Sequence, residues 1–162
     1  MIKNNVTRFL DSRKIEYETF ELPAEKHSAE ATAALIGAPP EIVYKTIVVV
    51  RDSAKRGKPI LCLIPATAEV DLKKLAKALD EKKLSLPTQR AAESLTGLQA
   101  GGISPLALLN KGFQICLDRS AEAHEKIHIS GGQRGLNIRL TVSDLAALTG
   151  AKWVEAISQP SA

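Results

Sequence analysis

Apolar positions along the chain recur with two periods, one typical of amphipathic helices and one typical of buried strands. The run from Thr46 to Val50 is β-branched at every position and Ile60 to Ile64 is nearly as apolar, which predicts a central hairpin with a polar turn from Asp52 to Lys58. Shorter runs predict further strands at Tyr17 to Glu21, Lys83 to Leu86, Gln114 to Leu117, Lys126 to Ile129 and Leu136 to Leu140, and a last strand beginning at Trp153.

Helices are predicted where apolar residues at helical spacing lie between a capping residue and a glycine that ends the helix. Ser28 and Gly37 bracket an alanine-rich helix in this way, and Pro39-Pro40 prevents its continuation. The other predicted helices run from about Lys3 to Arg13, from the N-cap Asp71 through Leu79, from Thr88 to Gly97, and from the capping box Thr141-Val142-Ser143-Asp144 to Gly150.

Strands and helices alternate without a strict βαβ rhythm, so the sequence predicts an α+β fold with a mixed, mostly antiparallel sheet flanked by helices. With 162 residues, 44% of them hydrophobic, the chain is long enough to bury a core as a single domain. We expect that domain to cover residues 1–157 and residues 158–162 to form a frayed tail.

The net charge of +4 is compatible with a polyanionic partner without requiring one. The chain lacks an apolar start of signal-peptide length and any apolar stretch near the roughly 20 residues of a membrane span. We therefore expect a cytoplasmic protein with no membrane partner.

Several familiar chemistries are disfavoured. His124-Glu125-Lys126-Ile127-His128 matches a zinc-protease string, but strand spacing would separate the two histidines by about 13 Å at about 3.3 Å per residue, so we expect no metal and two histidines on or near an edge strand. Cys62 and Cys116 lie in apolar runs and are predicted to be reduced core thiols. Nucleophile elbows, phosphate-binding loops and dinucleotide fingerprints are absent from the sequence.

Two glycine tracts are the strongest candidates for chemistry: Gly101-Gly102-Ile103-Ser104-Pro105, and Ser130-Gly131-Gly132-Gln133-Arg134-Gly135. Glycine lets another group approach the main chain, so paired tracts of this kind predict a pocket that offers backbone groups to a small polar guest. Lys45, at the start of an apolar strand, and Arg134 could each meet an anion or reach water.

The segments Tyr44 to Val50, Thr96 to Leu106 and Ser130 to Leu136 resemble, in order and spacing, motifs of the YbaK/EbsC family of free-standing aminoacyl-tRNA editing domains. The resemblance extends from about Val6 to about Ile157 and looks most like the Cys-tRNA(Pro)/Cys-tRNA(Cys) deacylase branch. It implies a fold similar to the insertion domain of prolyl-tRNA synthetase. Such domains remove amino acids that a synthetase pocket cannot reject, because a methylene of difference is worth only about 1–3 kcal/mol.

The resemblance also implies site residues. Lys45 would hold the acceptor end of the tRNA, Gly101 and Gly102 would offer main-chain groups, and Ser130 would orient the substrate. Asn137 stands where the cysteine-editing branch commonly has an aspartate. The implied substrate-binding residues are Leu22, near an expected tyrosine, His27, near an expected phenylalanine, and Thr46, Ile103, Ser104, Gly131, Gly132, Arg134 and Asn137.

The activity implied is deacylation of Cys-tRNA(Pro) without a cofactor, as a hydrolase or a lyase, in which the thiol of the substrate attacks its own ester. The implied partners are aminoacyl-tRNA and, as a candidate, prolyl-tRNA synthetase. Because Asn137 removes a carboxylate acceptor, editing of Ala- or Ser-tRNA by 2′-OH-assisted hydrolysis is an alternative. A non-catalytic module that binds the tRNA end is another.

Overall fold

The structure is a computed structural model that describes residues 2–51 and 58–158. Most of the polar turn predicted from Asp52 to Lys58 lies outside the described residues, as does the predicted tail beyond Ser158. None of the helices in the described part of the chain combines the length and the apolar character that crossing a bilayer requires.

The described α-helices are α1 (Asn5–Ser12), α2 (Ala29–Ile36), α3 (Leu72–Ala78), α4 (Gln89–Thr96) and α5 (Val142–Thr149). Three of them, α2, α4 and α5, begin and end at the capping residues that the sequence predicted, and α3 begins at the predicted N-cap Asp71. The N-cap of α1 is Asn4, which the sequence prediction did not name. Ser28 caps α2 by accepting a hydrogen bond from the amide of Ala31, and Gly37 ends that helix in the left-handed conformation.

The described strands form two sheets, a division that the sequence did not predict. The smaller sheet is wholly antiparallel, with the order β1-β7-β6, and the larger sheet is mixed, with the order β4-β2-β3-β5-β8. The α+β class and the mostly antiparallel pairing are confirmed. The strands are β1 (Tyr17–Glu21), β2 (Tyr44–Arg51), β3 (Ile60–Pro65), β4 (Leu84–Ser85), β5 (Gln114–Asp118), β6 (Lys126–Ser130), β7 (Leu136–Thr141) and β8 (Lys152–Val154).

Two apolar clusters pack on opposite faces of the larger sheet, because successive side chains of a strand point in opposite directions. Val49 and Ile60 belong to the cluster that α3 covers. Val48 and Leu61 belong to the other cluster, which includes isoleucines and leucines of β6 and β7 and apolar residues of α1 and α5. The larger sheet is therefore the middle layer, between α3 on one side and the smaller sheet on the other.

Among the described residues, no strand pairs with one edge of β2 along its first half. β3 pairs with β2 from Tyr44 to Val49, but on the other edge β4 pairs only with Val50 and Arg51. This unpaired part of β2 faces β6, and an isolated parallel bridge joins Val43, just before β2, to His128 on β6. An unpaired strand edge presents free backbone donors and acceptors, so this gap between the sheets is a natural place for a ligand.

Candidate functional site

A cleft of about 300 Å³ lies where the open edge of β2 faces the smaller sheet. Four segments far apart in sequence build its wall: the stretch from β1 into α2, the start of β2, and parts of both glycine tracts. The lining residues are Leu22, Glu25, Lys26, His27, Ala29, Thr32, Val43, Tyr44, Lys45, Thr46, Ile47, Ala100, Gly101, Ile103, Ser130, Gly135, Leu136 and Asn137.

The structure brings most of the predicted site residues together in this cleft and leaves the others behind its wall. Those that line it are Leu22, His27, Lys45, Thr46, Gly101, Ile103, Ser130 and Asn137. Those that do not are Gly102, Ser104, Gly131, Gly132 and Arg134. Sequence reasoning did not single out Glu25, Lys26, Ala29, Thr32, Tyr44 or Ala100; their side-chain types carry no local signal of a site, although Tyr44 lies within a motif that carried the family resemblance.

We call residues 100–103 the first glycine loop and residues 130–135 the second glycine loop, and the two are in direct contact. Ser130 Oγ donates to the carbonyl oxygen of Gly101 at 3.4 Å. A Cβ added to Gly102 would lie 2.8 Å from backbone atoms of Gln133 and Arg134, so the main chains meet closely there. Gly101 has a φ of 89°, which an L side chain rarely adopts. The sequence prediction that both tracts help to form one pocket is therefore consistent with the geometry.

Arg134 acts as a brace behind the cleft. Its Nε donates to the carbonyl oxygen of Ala100 at 2.7 Å, and its guanidinium lies 3.8 Å from the carboxylate of Glu93 on α4. The same carboxylate accepts a hydrogen bond from the amide of Ala100 at 2.7 Å. Arg134 and Glu93 thus hold both polar groups of Ala100, which fixes the first glycine loop on the second.

The other predicted site residues that do not line the cleft also make contacts that stabilise the structure. Ser104 is fully buried and its hydroxyl accepts a hydrogen bond from the amide of Leu106 at 3.2 Å, which caps a short helical turn. The amide of Gly132 donates to Ser130 Oγ at 3.3 Å. The carbonyl of Gly131 accepts from the side chain of Asn4 at 2.9 Å, so the N-cap of α1 ties down the second glycine loop. These contacts shape the loops whose other faces line the cleft.

Two lysines and a buried threonine hydroxyl line the cleft. Lys45 is half-buried and its Nζ is 3.3 Å from the carbonyl oxygen of Ala66, a long hydrogen bond. Lys26, on the exposed segment before α2, also lines the cleft, and its Nζ donates a hydrogen bond to Gln89 Oε1. Thr46 Oγ1 is buried and has no hydrogen-bond partner among the described residues. Buried polar groups are rarely left unpaired, so Thr46 is suited to bind a group of a ligand.

Asn137 joins the cleft to a buried histidine that sequence reasoning considered only as part of a zinc string. His128 is 2% exposed, and its Nδ1 is 2.9 Å from Asn137 Oδ1. Burial lowers the pKa of His128 below its usual value, against the opposing effect of the hydrogen bond to Asn137. The ring is therefore held in its neutral form near neutral pH.

The zinc string is extended, as its spacing predicted. His128 lies on β6, an edge strand of the smaller sheet, and His124 follows a short helical turn just before that strand. No group of three or more His, Cys, Asp or Glu side chains in residues 2–51 and 58–158 is arranged to hold a metal ion. Cys62 and Cys116 are free and fully buried on neighbouring strands, as predicted. Burial raises the pKa of Cys116 to about 11 and that of Cys62 further.

Comparison with known proteins identifies the family. Residues 23–148 match the family described as "Aminoacyl-tRNA editing domain". The chain belongs to this family. It is 35% identical over 155 residues to the Enterococcus faecalis protein named "Putative Cys-tRNA(Pro)/Cys-tRNA(Cys) deacylase EbsC", covering 94% of this chain and 92% of that protein.

Two further matches extend the comparison. A segment of 82 residues, 51% of this chain, is 30% identical to 14% of the proline–tRNA ligase of Nitratidesulfovibrio vulgaris. A solved structure titled "Crystal structure of a putative trans-editing enzyme for prolyl tRNA synthetase" superposes with a TM-score of 0.79 at 24% identity, covering 98% of this chain and 100% of that one. The aminoacyl-tRNA editing domain fold is thus shared over essentially the whole described chain.

Proposed function

We propose that this editing domain is a trans-acting aminoacyl-tRNA deacylase that removes cysteine from Cys-tRNA(Pro). The observation that carries the proposal is the cleft itself. Its wall combines the bare main chain of Gly101 with Ser130, Lys45 and the hydroxyl of Thr46, which has no hydrogen-bond partner in the part of the chain that the structure describes. A volume of about 300 Å³ suits one small amino acid and part of a terminal adenosine.

The proposed roles follow from the contacts. Lys45 pairs with a phosphate or ribose oxygen of the acceptor end, since its long contact with Ala66 is easily exchanged for a charged partner. The first glycine loop places the aminoacyl group through main-chain atoms. Ser130 already hydrogen-bonds to Gly101 and so orients that loop towards the substrate.

The lining residues support a mechanism in which the substrate supplies its own nucleophile. No cysteine is among the described residues of the wall, and Ser130 Oγ is occupied with the backbone of the two glycine loops rather than with a general base. In the proposed reaction the cysteine sulfur bonds to its own ester carbonyl carbon and the bond from that carbon to the ribose oxygen breaks. The thiol proton passes to the ribose oxygen, and water later opens the cyclic thioester. Proximity of an internal nucleophile can lower a barrier by several kcal/mol.

Asn137 favours a second candidate, editing of Ala- or Ser-tRNA by hydrolysis that the ribose 2′-OH assists. An amide in this position carries no charge, so it attracts the ammonium group of the substrate less strongly than a carboxylate would. A guest without a thiol would then need water as the nucleophile. The two candidates differ in whether sulfur is required.

Deacylation of Cys-, Ala- and Ser-tRNA(Pro) by the purified protein tests both candidates. We expect Cys-tRNA(Pro) to be cleaved fastest. Equal rates for Ser- and Cys-tRNA(Pro) would exclude attack by the substrate thiol and favour the second candidate. No turnover of any of the three above buffer would reject the deacylase function and leave a module that only binds the tRNA end.

A lysine pair provides the matched control. Lys45→Ala is expected to lower kcat/KM by about 100-fold, since a charge-assisted contact to phosphate and the resulting alignment are both lost. Lys111 is exposed and does not line the cleft, so Lys111→Ala removes the same charge and should leave the rate within about twofold. Equal rates for the two variants would show that Lys45 only contributes to overall charge.

A further inference from the structure

The face of the smaller sheet opposite its apolar residues carries two rows of side chains, because its strands are paired in register and successive residues alternate between faces. Phe20, Asn137 and Ser130 form one row across β1, β7 and β6. Glu18, Arg139 and His128 form the next row. The first row ends in the cleft through Asn137 and Ser130, so the second row lies directly behind the wall.

One hydrogen bond joins the two rows, between His128 and the side-chain amide of Asn137. Asn137 Oδ1 lies 2.9 Å from Nδ1 of His128, and because a carbonyl oxygen can only accept a hydrogen bond, this contact requires the tautomer of His128 that is protonated at Nδ1. The other half of the amide, Nδ2 with its two hydrogens, makes no hydrogen bond to another described residue. Since Asn137 lines the cleft, that donor group is the part available to a guest.

The histidine ring is held in place from its other sides. The Phe20 ring packs on it with centroids 5.1 Å apart and tilted by 56°. The guanidinium of Arg139 lies over Phe20, 5.9 Å from its centroid, and is itself paired with Glu18. Because the His128 ring is fixed by packing, its hydrogen bond holds the Asn137 amide more rigidly than a freely rotating side chain would.

We propose that His128 is a positioning residue that turns the Asn137 amide so that its NH₂ group points into the cleft, where it binds an oxygen atom of the aminoacyl group. This inference rests on the proposed function. The position therefore serves as a hydrogen-bond donor. A carboxylate there would do the reverse, because it has only acceptors to offer.

Two substitutions of His128 distinguish the contribution of its hydrogen-bond donor from that of the packing of its ring. His128→Leu keeps an apolar side chain in the buried site but removes the donor, which leaves the Asn137 amide free to rotate. His128→Asn places an amide NH₂ two bonds from Cβ, where Nδ1 of histidine lies, and so retains a donor. We expect His128→Leu to lower kcat/KM about 2- to 10-fold on the best substrate of the panel, and His128→Asn to restore it to within about twofold of the wild type.

Asn137→Asp tests whether residue 137 acts on the substrate as a hydrogen-bond donor or as an acceptor. It keeps the shape of the side chain and the bond to His128 but replaces the donor by an acceptor, so a loss similar to that of His128→Leu is expected. Wild-type kcat/KM in both His128→Leu and Asn137→Asp would overturn the inference while leaving the deacylase function intact. Equal losses in His128→Asn and His128→Leu would also overturn it, because the ring alone would then matter.

The tautomer of His128 can be read without any substrate. Long-range ¹H–¹⁵N spectra of the labelled wild-type protein near pH 7.5 should show a neutral ring protonated at Nδ1. A ring protonated at Nε2 would mean that Asn137 donates to His128 and shows its oxygen to the cleft, which refutes the inference whether or not the protein deacylates tRNA. Absence of turnover with an Nδ1-protonated ring would reject the proposed function alone.

Discussion

The close contact between the two glycine loops can be tested by one added methyl group. In Gly102→Ala the new Cβ would lie 2.8 Å from backbone atoms of Gln133 and Arg134. Carbon atoms pack best at about 3.5–4.0 Å, so the loops must separate by roughly 0.7 Å or more. Overpacking of this kind costs about 1–3 kcal/mol, which corresponds to a fall in Tm of about 2–12 °C for a protein of this size.

Gly102→Ala should reduce the deacylation rate by a large factor while lowering Tm only moderately. Gly101 lines the cleft next to the displaced residue, and a misplacement of about 1 Å in a site can reduce the rate by about 100-fold. Thermal unfolding followed by circular dichroism and deacylation of Cys-tRNA(Pro) would measure the two effects separately.

Gly150→Ala is the matched control. Gly150 ends α5 with a φ of 62°, and apart from its own chain neighbours no described residue has an atom within 4 Å of the place that an added methyl group would take, so the substitution adds backbone strain of about 1–2 kcal/mol but no collision. It should lower Tm and leave turnover unchanged. Wild-type Tm and turnover in Gly102→Ala would refute the contact between the loops, and an equal loss of turnover in Gly150→Ala would show that stability alone controls the rate.

Three further predictions concern the brace, the histidine and the thiols. Arg134→Met should lower kcat/KM about 10-fold with little change in Tm, because it frees the carbonyl of Ala100 at a partly exposed site; unchanged kinetics would contradict the brace. Burial lowers the pKa of His128, with Arg139 adding to the shift and Asn137 and Glu18 opposing it. Below about pH 6.5 the unfolded chain therefore binds a proton at this histidine more readily than the folded protein does. The free energy of unfolding should decrease as the pH falls through this range, by at most about 1.4 kcal/mol per pH unit. Denaturant unfolding at pH 5.0 and 7.5 should show this loss in the wild type and less of it in His128→Asn. Cys62 and Cys116 should not react with a thiol reagent at pH 8 until the protein is unfolded, and rapid labelling of the native protein would argue against their burial.

Local signals in the sequence were enough to predict the elements. Ser28 and Gly37 bound α2 as expected, and the β-branched run within β2 is a strand because such side chains suit a pleated surface. The partition into two sheets could not be predicted in the same way. The parallel pairing of β3 with β5 joins residues more than 50 positions apart, such as Ile60 and Gln114, and no local periodicity indicates it.

The sequence was sufficient to predict the glycine loops that line the site, but not the contacts between side chains that are distant in sequence. Gly101 and Ser130 were found from glycine content and the family resemblance, and both line the cleft. The contacts of Arg134 with Glu93 and of His128 with Asn137 were not found. Each depends on a pair of residues brought together by tertiary structure, and neither residue of a pair is unusual in its local sequence.

The tie between Asn4 and the second glycine loop bears on how this domain could be transferred into another protein. The segment that matches the editing-domain family begins at residue 23, yet Asn4 bonds to Gly131 and Gln133, and β1 forms an edge of the smaller sheet by pairing with β7. A graft limited to residues 23–148 would lose that anchor and leave one side of β7 without its neighbour. The smallest transplantable unit must therefore include the segment before residue 23, even though Leu22 is the only one of its described residues that touches the cleft.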